Sequence, residues 1–527
     1  MTTMGVVAAG HGHTAEAAAI MLREGGNAFD AVIAALCAAC VAEPGLASLG
    51  GGGFLLARRK NGAAVLYDFF AHTPLRLRSQ EETDLYPVWV DFGPARQEFH
   101  IGCGSIATPG VVKGIFTAHA ELCAIPMEVI VAPAVAYARD GVKVNSLQEM
   151  MLTLLQSICL ASEEGREIFA GADGSVKRAG ESIRMAGLAD LLENLAREGE
   201  DLFYRGEVAK RIVTDCQNRG GHLSSEDFTK YAVSRRMPLV RTYRDYQIAT
   251  NPPPSSGGIL IAFGLDLLSR WDIASLGVGS DEHLSLLARI MDQTNQARVA
   301  SGMQELADDA VTTRLLDADL LATHAASIGN HPKSYRGTTH ISVIDAAGNA
   351  AAMSVSNGEG SGYIVPGTGI MLNNMLGEDD INPTRFHHWP EDRRLSSMMS
   401  PTVLWRPDGR ILALGSGGSK RIRTAVLQVL SNIADFRMNI TDAVTAPRLH
   451  FEGDTLDFEF GEQVENGFDE DEIKRLRAEF PKHKAWPERN MYFGGVHAVM
   501  AEPIEKRFAG AGDPRRGGMK LVVSRSG

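Results

Sequence analysis

Between residues 303 and 337 the chain loses regularity, and at Thr338 it returns abruptly to strands. The stretch TTHISVIDAAGNAAAMSVS, residues 338–356, reads as two strands of alternating polarity joined at Ala347-Gly348-Asn349. This hairpin constrains the chain more than any other feature. It fixes a β-rich centre, and it puts a Gly-Thr-Thr-His sequence at the head of a rigid strand, just after a segment ending in Gly337 that reads as exposed.

The remainder divides around it. Thr14 to Glu43 reads as two helices broken at Gly25 and Gly26. LGGGGFLLARR, the Asn61-Gly62 turn and AAVLYDFF give a second hairpin signal. From Pro109 to about Met291 the reading is mostly helical, interrupted by NPPPSSGG at 251–258, which is a turn or part of a site wall. SPTVLWRPDGRILALGS predicts another hairpin, IRTAVLQVLSNIADF a helix, DEDEIKRLRAEF a helix with acids in its first turn, and VHAVMAEP and GMKLVVSR two closing strands.

Composition narrows the function. A formal charge of -12 argues against a phosphate-backbone partner, so no nucleic acid is expected and a small-molecule substrate fits better. The longest apolar run, Ala31 to Ala42, is shorter than the ~20 residues of a membrane span. The first residues lack a basic region followed by an apolar one, so no membrane association and a cytoplasmic location are expected. The six cysteines lie in the first half; Cys37 and Cys40 fall at helical spacing in AVIAALCAACVAE and read as small core residues. The glycines of 50–53 precede a strand and lack a following Lys-Ser/Thr, which argues against a phosphate loop. The scattered histidines, among them His11, His13, His387 and His388, lack ligand spacing, so neither metal nor cofactor is expected.

A threonine hydroxyl is a weak nucleophile and needs an adjacent base. If the chain is cut between Gly337 and Thr338, the new α-amino group, with a pKa of ~7.7–8.0, lies within reach of its own Oγ and serves as that base. His340 shares a strand face with Thr338 and is expected to pack beside the cut. On spacing alone, Thr338 and Thr339 are equally ordinary β-branched strand residues.

The order of motifs adds to this. TTHISVIDAAGNAAA, LNN at 372–374, LSSMMSPT from Leu395, LGSGGSKR from Leu414 and TAPRLHF from Thr445 resemble the small-subunit signature of gamma-glutamyltransferases. EGGNAFDA, LGGGGFLL, ATPGVVKG, YARDG and NPPPSSGG are similar to that family's large-subunit motifs. The resemblance implies an α+β fold, the αββα sandwich of the Ntn-hydrolases, with a helical portion in the large subunit. It implies self-cleavage into residues 1–337 and 338–527, which remain together as a heterodimer, with further oligomerisation left open. It also implies an acyl-enzyme on Thr338 formed from an amide donor such as a gamma-glutamyl amide, and resolved by water or an amine. By position, Ser356 matches a hydroxyl beside the nucleophile, and Gly417 and Gly418 match the oxyanion-hole glycines. Ser396 and Ser397 match the serines that hold the substrate's α-carboxylate.

The pattern also breaks. Asp68-Phe69-Phe70 puts Phe70 where the family carries a carboxylate-binding arginine; Arg76 and Arg78 follow closely. Glu378 stands where the family has the aspartate that meets the substrate ammonium, with Asp379 and Asp380 next. Asn357 and Glu359, in a Gly-rich stretch, are further candidates to face the substrate. Three readings stay open: a gamma-glutamyl transferase or hydrolase, an amidohydrolase for another acyl group, and a non-catalytic relative that keeps the sandwich for binding.

Overall fold

The hairpin predicted around Gly348 forms. In the computed structural model, which describes residues 2–91, 96–301, 308–317, 320–321, 337–378, 381–382, 386–465, 467–502 and 504–525, the strands Thr339–Asp345 and Ala350–Ser356 run antiparallel, with Ile341 opposite Met353. Asp345 shapes the turn: its carboxylate accepts the backbone N–H groups of Ala347 and Asn349, at 2.9 and 3.0 Å. Gly348 there has a φ of 87°, a conformation glycine adopts without a Cβ penalty.

All residues of both strands are buried. Their alternation therefore separates two interiors rather than core from solvent. Ile341, Val343, Met353 and Val355 face one core, and Ile344, Ala350 and Ala352 face the other. The hairpin is the middle of a seven-stranded sheet ordered Met519–Arg525, Thr2–Ala9, Thr339–Asp345, Ala350–Ser356, Gly52–Arg58, Ala64–Phe69, Ser234–Arg236. A six-stranded sheet, ordered Arg507–Ala511, Gly495–Glu502, Ile411–Gly417, Thr402–Trp405, Tyr246–Thr250, Leu239–Tyr243, packs on its inner face.

Helices close both outer faces. Gly12–Arg23, Ala28–Ala42 and Val111–Leu122 lie over the first sheet, and Met127–Asp140 packs on the first two of these helices. Asn27 caps Ala28–Ala42 reciprocally with Asp30, and all 15 of its residues are buried, as expected for a helix apolar on every side. Cys37 and Cys40 sit within it as buried free thiols. Ser256–Leu268, Asp281–Ala300 and Arg421–Ala434 pack together over the second sheet. The architecture is the αββα sandwich.

The span from Pro109 to Met291 is mostly helical, as expected, and its strands Ser234–Arg236, Leu239–Tyr243 and Tyr246–Thr250 carry the chain from the edge of one sheet to the edge of the other. The two closing strands form, in different sheets, with Arg507–Ala511 between them in the chain. One expectation is corrected: Gly337 is buried, not exposed, because the strand that follows it is central. Residues 331–336, like Asp379 and Asp380, lie outside the described residues. Among the described residues no helix is long and apolar enough to cross a membrane.

Candidate active site

Thr338 heads the central strand Thr339–Asp345 and is 5% exposed. Its hydroxyl donates to the carbonyl oxygen of Gly337 at 2.8 Å, and the Ser356 hydroxyl donates to that same oxygen at 2.7 Å. Ser356 is fixed in turn by the N–H of Gly358 at 3.0 Å, and Glu359 accepts the N–H of Gly337 at 2.9 Å. The Gly337 carbonyl, next to the Gly337–Thr338 bond, is thus held by two hydroxyls. Such donors favour negative charge developing on the oxygen.

Alternation sends Thr339 to the helical side. Its hydroxyl donates to Glu43 at 2.6 Å, and Thr14 donates to the other oxygen of that carboxylate at 2.6 Å. Burial raises the pKa of Glu43; the Thr14 and Thr339 hydroxyls and the charge of Arg516 oppose the shift. Arg516, lowered to about 10 chiefly by burial, donates to the Thr338 carbonyl at 3.3 Å. The strand head is therefore gripped from both sides by buried polar groups. The folded chain holds the Glu43 proton more tightly than the unfolded one. This contribution to stability is complete below the ordinary value of 4.5 and is lost as pH rises through the raised folded value. Glu43→Gln should accordingly gain urea resistance relative to the wild type between pH 4.5 and neutrality; a difference independent of pH would count against this role.

His340 points to the sheet–sheet interface. Its ring nitrogens meet the hydroxyls of Ser354 and Ser342 at 2.7 and 2.9 Å, and burial, with His497 nearby, lowers its pKa well below the usual value. It is a neutral packing group one period of alternation beyond Thr338. Gly415 leaves room for it: a Cβ there would lie 2.3 Å from the ring.

The expected glycines end the strand Ile411–Gly417. A Cβ on Gly417 would lie 2.1 Å from the Thr338 carbonyl oxygen, and Gly418 turns the chain with a φ of 118°. Both positions admit only glycine, for contact at one and for backbone conformation at the other.

A cavity of about 30 Å³ opens at Thr338; Phe70, Glu378, Ser397 and Ser356 line it. Its apolar wall comes from Met375, Ile381, Met398, Met399 and Ile422, residues from separate segments that sequence reading did not single out. Phe70 is buried and stacks on Phe54 at 5.4 Å. Arg76 is exposed, and Arg78 is engaged by the carbonyls of Gly221 and Gln217, so neither lines the cavity. Ser396 and Asn357 are also absent from its wall. Ser396 is half-buried near Ser256, and the Asn357 amide donates to the Met371 carbonyl at 3.3 Å.

The conspicuous motifs brace this wall. In LNN, Asn373 donates to the carbonyls of Gly50 and Ala107, while Asn374 accepts the N–H groups of Glu359 and Gly360. NPPPSSGG ends in the first turn of Ser256–Leu268, whose N–H groups at Ser256 and Gly257 donate to the Ser397 carbonyl at 2.9 and 3.1 Å. Those N–H groups have no partner inside the helix, and the contact fixes the serine segment.

The four-layer αββα sandwich is the architecture of the N-terminal nucleophile hydrolases. The family profile described as Gamma-glutamyltranspeptidase matches residues 14–523. The chain belongs to the gamma-glutamyltranspeptidase family, a family of enzymes. The glutathione hydrolase proenzyme of Escherichia coli (strain K12) is 32% identical over 530 residues, covering 94% of this chain and 87% of the relative. The Acylase ACY 1 proenzyme of Pseudomonas sp. (strain V22) is 30% identical over 472 residues, covering 86% and 84%. Among solved structures, cephalosporin acylase from Bacillus halodurans shares the fold with a TM-score of 0.81 at 23% identity, over 100% of this chain and 97% of that one. Helicobacter pylori gamma-glutamyltranspeptidase matches with a TM-score of 0.53 at 25% identity, over 62% and 91%.

Proposed function

We propose that the chain cuts itself between Gly337 and Thr338, and that the freed Thr338 then transfers the acyl group of a small amide, gamma-glutamyl amides of the glutathione type being the leading donors, to water or an amine. The observation that carries this reading is the Gly337 carbonyl oxygen bound by both the Thr338 and Ser356 hydroxyls. In maturation the Thr338 hydroxyl attacks that carbonyl, the C–N bond breaks to leave an ester and a free α-amine, and water hydrolyses the ester. In turnover the same amine takes the hydroxyl proton and passes it to the leaving amine. Gly417 and Gly418 supply the backbone donors for the oxyanion, Ser356 orients the nucleophile, and Ser397, Glu378 and Phe70 surround the acyl group, while Ser396 and Asn357 lie behind that wall.

Residues 1–337 and 338–527 remain one particle after the cut. Thr2–Ala9 of the first piece is hydrogen-bonded on both sides by strands of the second, and Gly52–Arg58 pairs with Ala350–Ser356. The reading puts the enzyme in the cytoplasm; cell fractionation tests that placement.

A second reading, an acyl group other than gamma-glutamyl, is favoured by Phe70, which brings no charge to the wall. Gamma-glutamyl and glutaryl p-nitroanilides separate the two. Release from the gamma-glutamyl compound is expected; release from the glutaryl compound alone would sink the first reading and install the second.

A further inference from the structure

We propose that Arg516 is the positioning residue of the freed nucleophile: it holds the Thr338 carbonyl from the C-terminal turn, and this hold governs turnover while self-cleavage proceeds without it. This rests on the reading of Thr338 as an acyl-transfer nucleophile.

Only some anchors of the strand head outlast the cut. On the Gly337 side, Glu359 accepts the Gly337 N–H at 2.9 Å, and the Ser356 and Thr338 hydroxyls donate to the Gly337 carbonyl at 2.7 and 2.8 Å. Each of these contacts is made to an atom of Gly337, which belongs to the first piece once the bond breaks. On the other side, the Thr339 hydroxyl donates to Glu43 at 2.6 Å, and Arg516 Nη1 donates to the Thr338 carbonyl oxygen at 3.3 Å. Of these two, the second is made to the nucleophilic residue itself. A chain end released from its predecessor frays unless it is tied down. The Arg516 contact fixes the plane of the Thr338–Thr339 peptide, and with it the point about which the hydroxyl and the new amine turn.

The segment that carries Arg516 is well braced. Pro514–Arg516 form a single tight turn capped by Asp513, whose carboxylate accepts the N–H groups of Arg515 and Val496 at 3.0 and 2.9 Å and pairs with Arg448 at 2.7 Å. Arg515 is taken up by Glu459 at 2.7 Å and by Asp513 at 3.2 Å. Its neighbour Arg516 turns to Thr338 instead. The stem of Arg516 crosses Gly495, where a Cβ would stand 2.5 Å from its Cδ.

The guanidinium also lies against the glycines proposed for the oxyanion. A Cβ on Gly417 would stand 3.1 Å from Nη1, and one on Gly418 3.5 Å from Nη2. One buried cation, 6% exposed, therefore touches both halves of the site: the threonine that heads a strand of the seven-stranded sheet, and the turn that ends a strand of the six-stranded one. Burial, with Arg421 nearby, lowers its pKa only to about 10, against Asp513 and Glu43, so it is charged at neutral pH. Arg516 does not line the cavity at Thr338. It thus acts on the placement of the nucleophile and not on the binding of the donor.

The test compares two rates in the same variants. Wild-type, Arg516→Met and Arg516→Lys chains are made by cell-free synthesis, and loss of the uncut chain is timed on a denaturing gel. On the cleaved fraction, kcat and KM are measured with gamma-glutamyl and glutaryl p-nitroanilides, using whichever the wild type releases. Misplacing a reacting group by about 1 Å can cost ~10²-fold, so Arg516→Met should lower kcat by about 10- to 100-fold, with KM within about twofold and the cleavage half-time within about threefold of wild type. Arg516→Lys, which keeps a charged donor, should recover part of the lost kcat. An unchanged kcat, or cleavage and turnover slowed equally, overturns the proposal and makes Arg516 a general support of the fold. Far-UV circular dichroism checks folding; if Arg516→Met does not fold, Arg516→Lys decides by the same comparison, a lowered kcat with wild-type cleavage and KM being the supporting result. A wild type that is not cut at Thr338, or that when cut releases neither anilide, defeats the acyl-transfer reading and this one with it. An active wild type whose kcat ignores Arg516 defeats this one alone.

Discussion

Thr338→Ala should yield one uncut chain of 56.7 kDa that turns over no amide donor above background. The substitution removes the hydroxyl that donates to the Gly337 carbonyl and leaves no atom to carry an acyl group. The fold should survive. Thr338 precedes the strand rather than pairing within it, and the anchors through Thr339 to Glu43 and through the Thr338 carbonyl to Arg516 do not use the lost hydroxyl. A denaturing gel and anilide release measure both losses, with far-UV circular dichroism as the folding control. An active Thr338→Ala protein would remove the nucleophile from the account.

Gly417→Ala should be nearly as damaging for a different reason. The added β-carbon would stand 2.1 Å from the Thr338 carbonyl oxygen, so either the nucleophile or the Gly417–Gly418 turn must move. Loss of one oxyanion donor typically costs about 10²–10³ in kcat, and a fall of that order is expected in the cleaved fraction. Gly12→Ala is the matched control, since nothing lies within 4 Å of a Cβ there. Equal effects from the two substitutions would show that the loss comes from general damage and not from the site.

The hairpins and the two N-terminal helices were legible because their signals are local: two-residue alternation around Gly348 and Gly62, and apolar spacing broken at Gly25-Gly26. The strands Leu239–Tyr243 and Arg507–Ala511 were not. Both are edge strands with polar or exposed residues in them, so neither shows the apolar run of a central strand. The burial of Gly337 was hidden too, since it follows from the distant loop at Gly45-Leu46 and from Gly358 and Glu359 folding back over it. At the site, Thr338, Ser356, Glu378, Ser397 and Phe70 come together from stretches that the motif order had already marked. Glu43 and Arg516 had no local signal. Glu43 ends a helix 296 residues before Thr339, and Arg516 lies 178 residues after Thr338; only the packing of helix, sheet and C-terminal turn brings them to one strand head.

The central claim is that Thr338 becomes both a chain terminus and the acyl carrier, and one measurement addresses both parts. Purified protein is quenched in acid during turnover of a p-nitroanilide donor and its chains are analysed by tandem mass spectrometry. The account predicts a smaller chain whose first residue is Thr338 and whose acyl mass is carried on that threonine. A cleaved chain with a different first residue, an acyl group on any other side chain, or turnover by an uncut chain would contradict it.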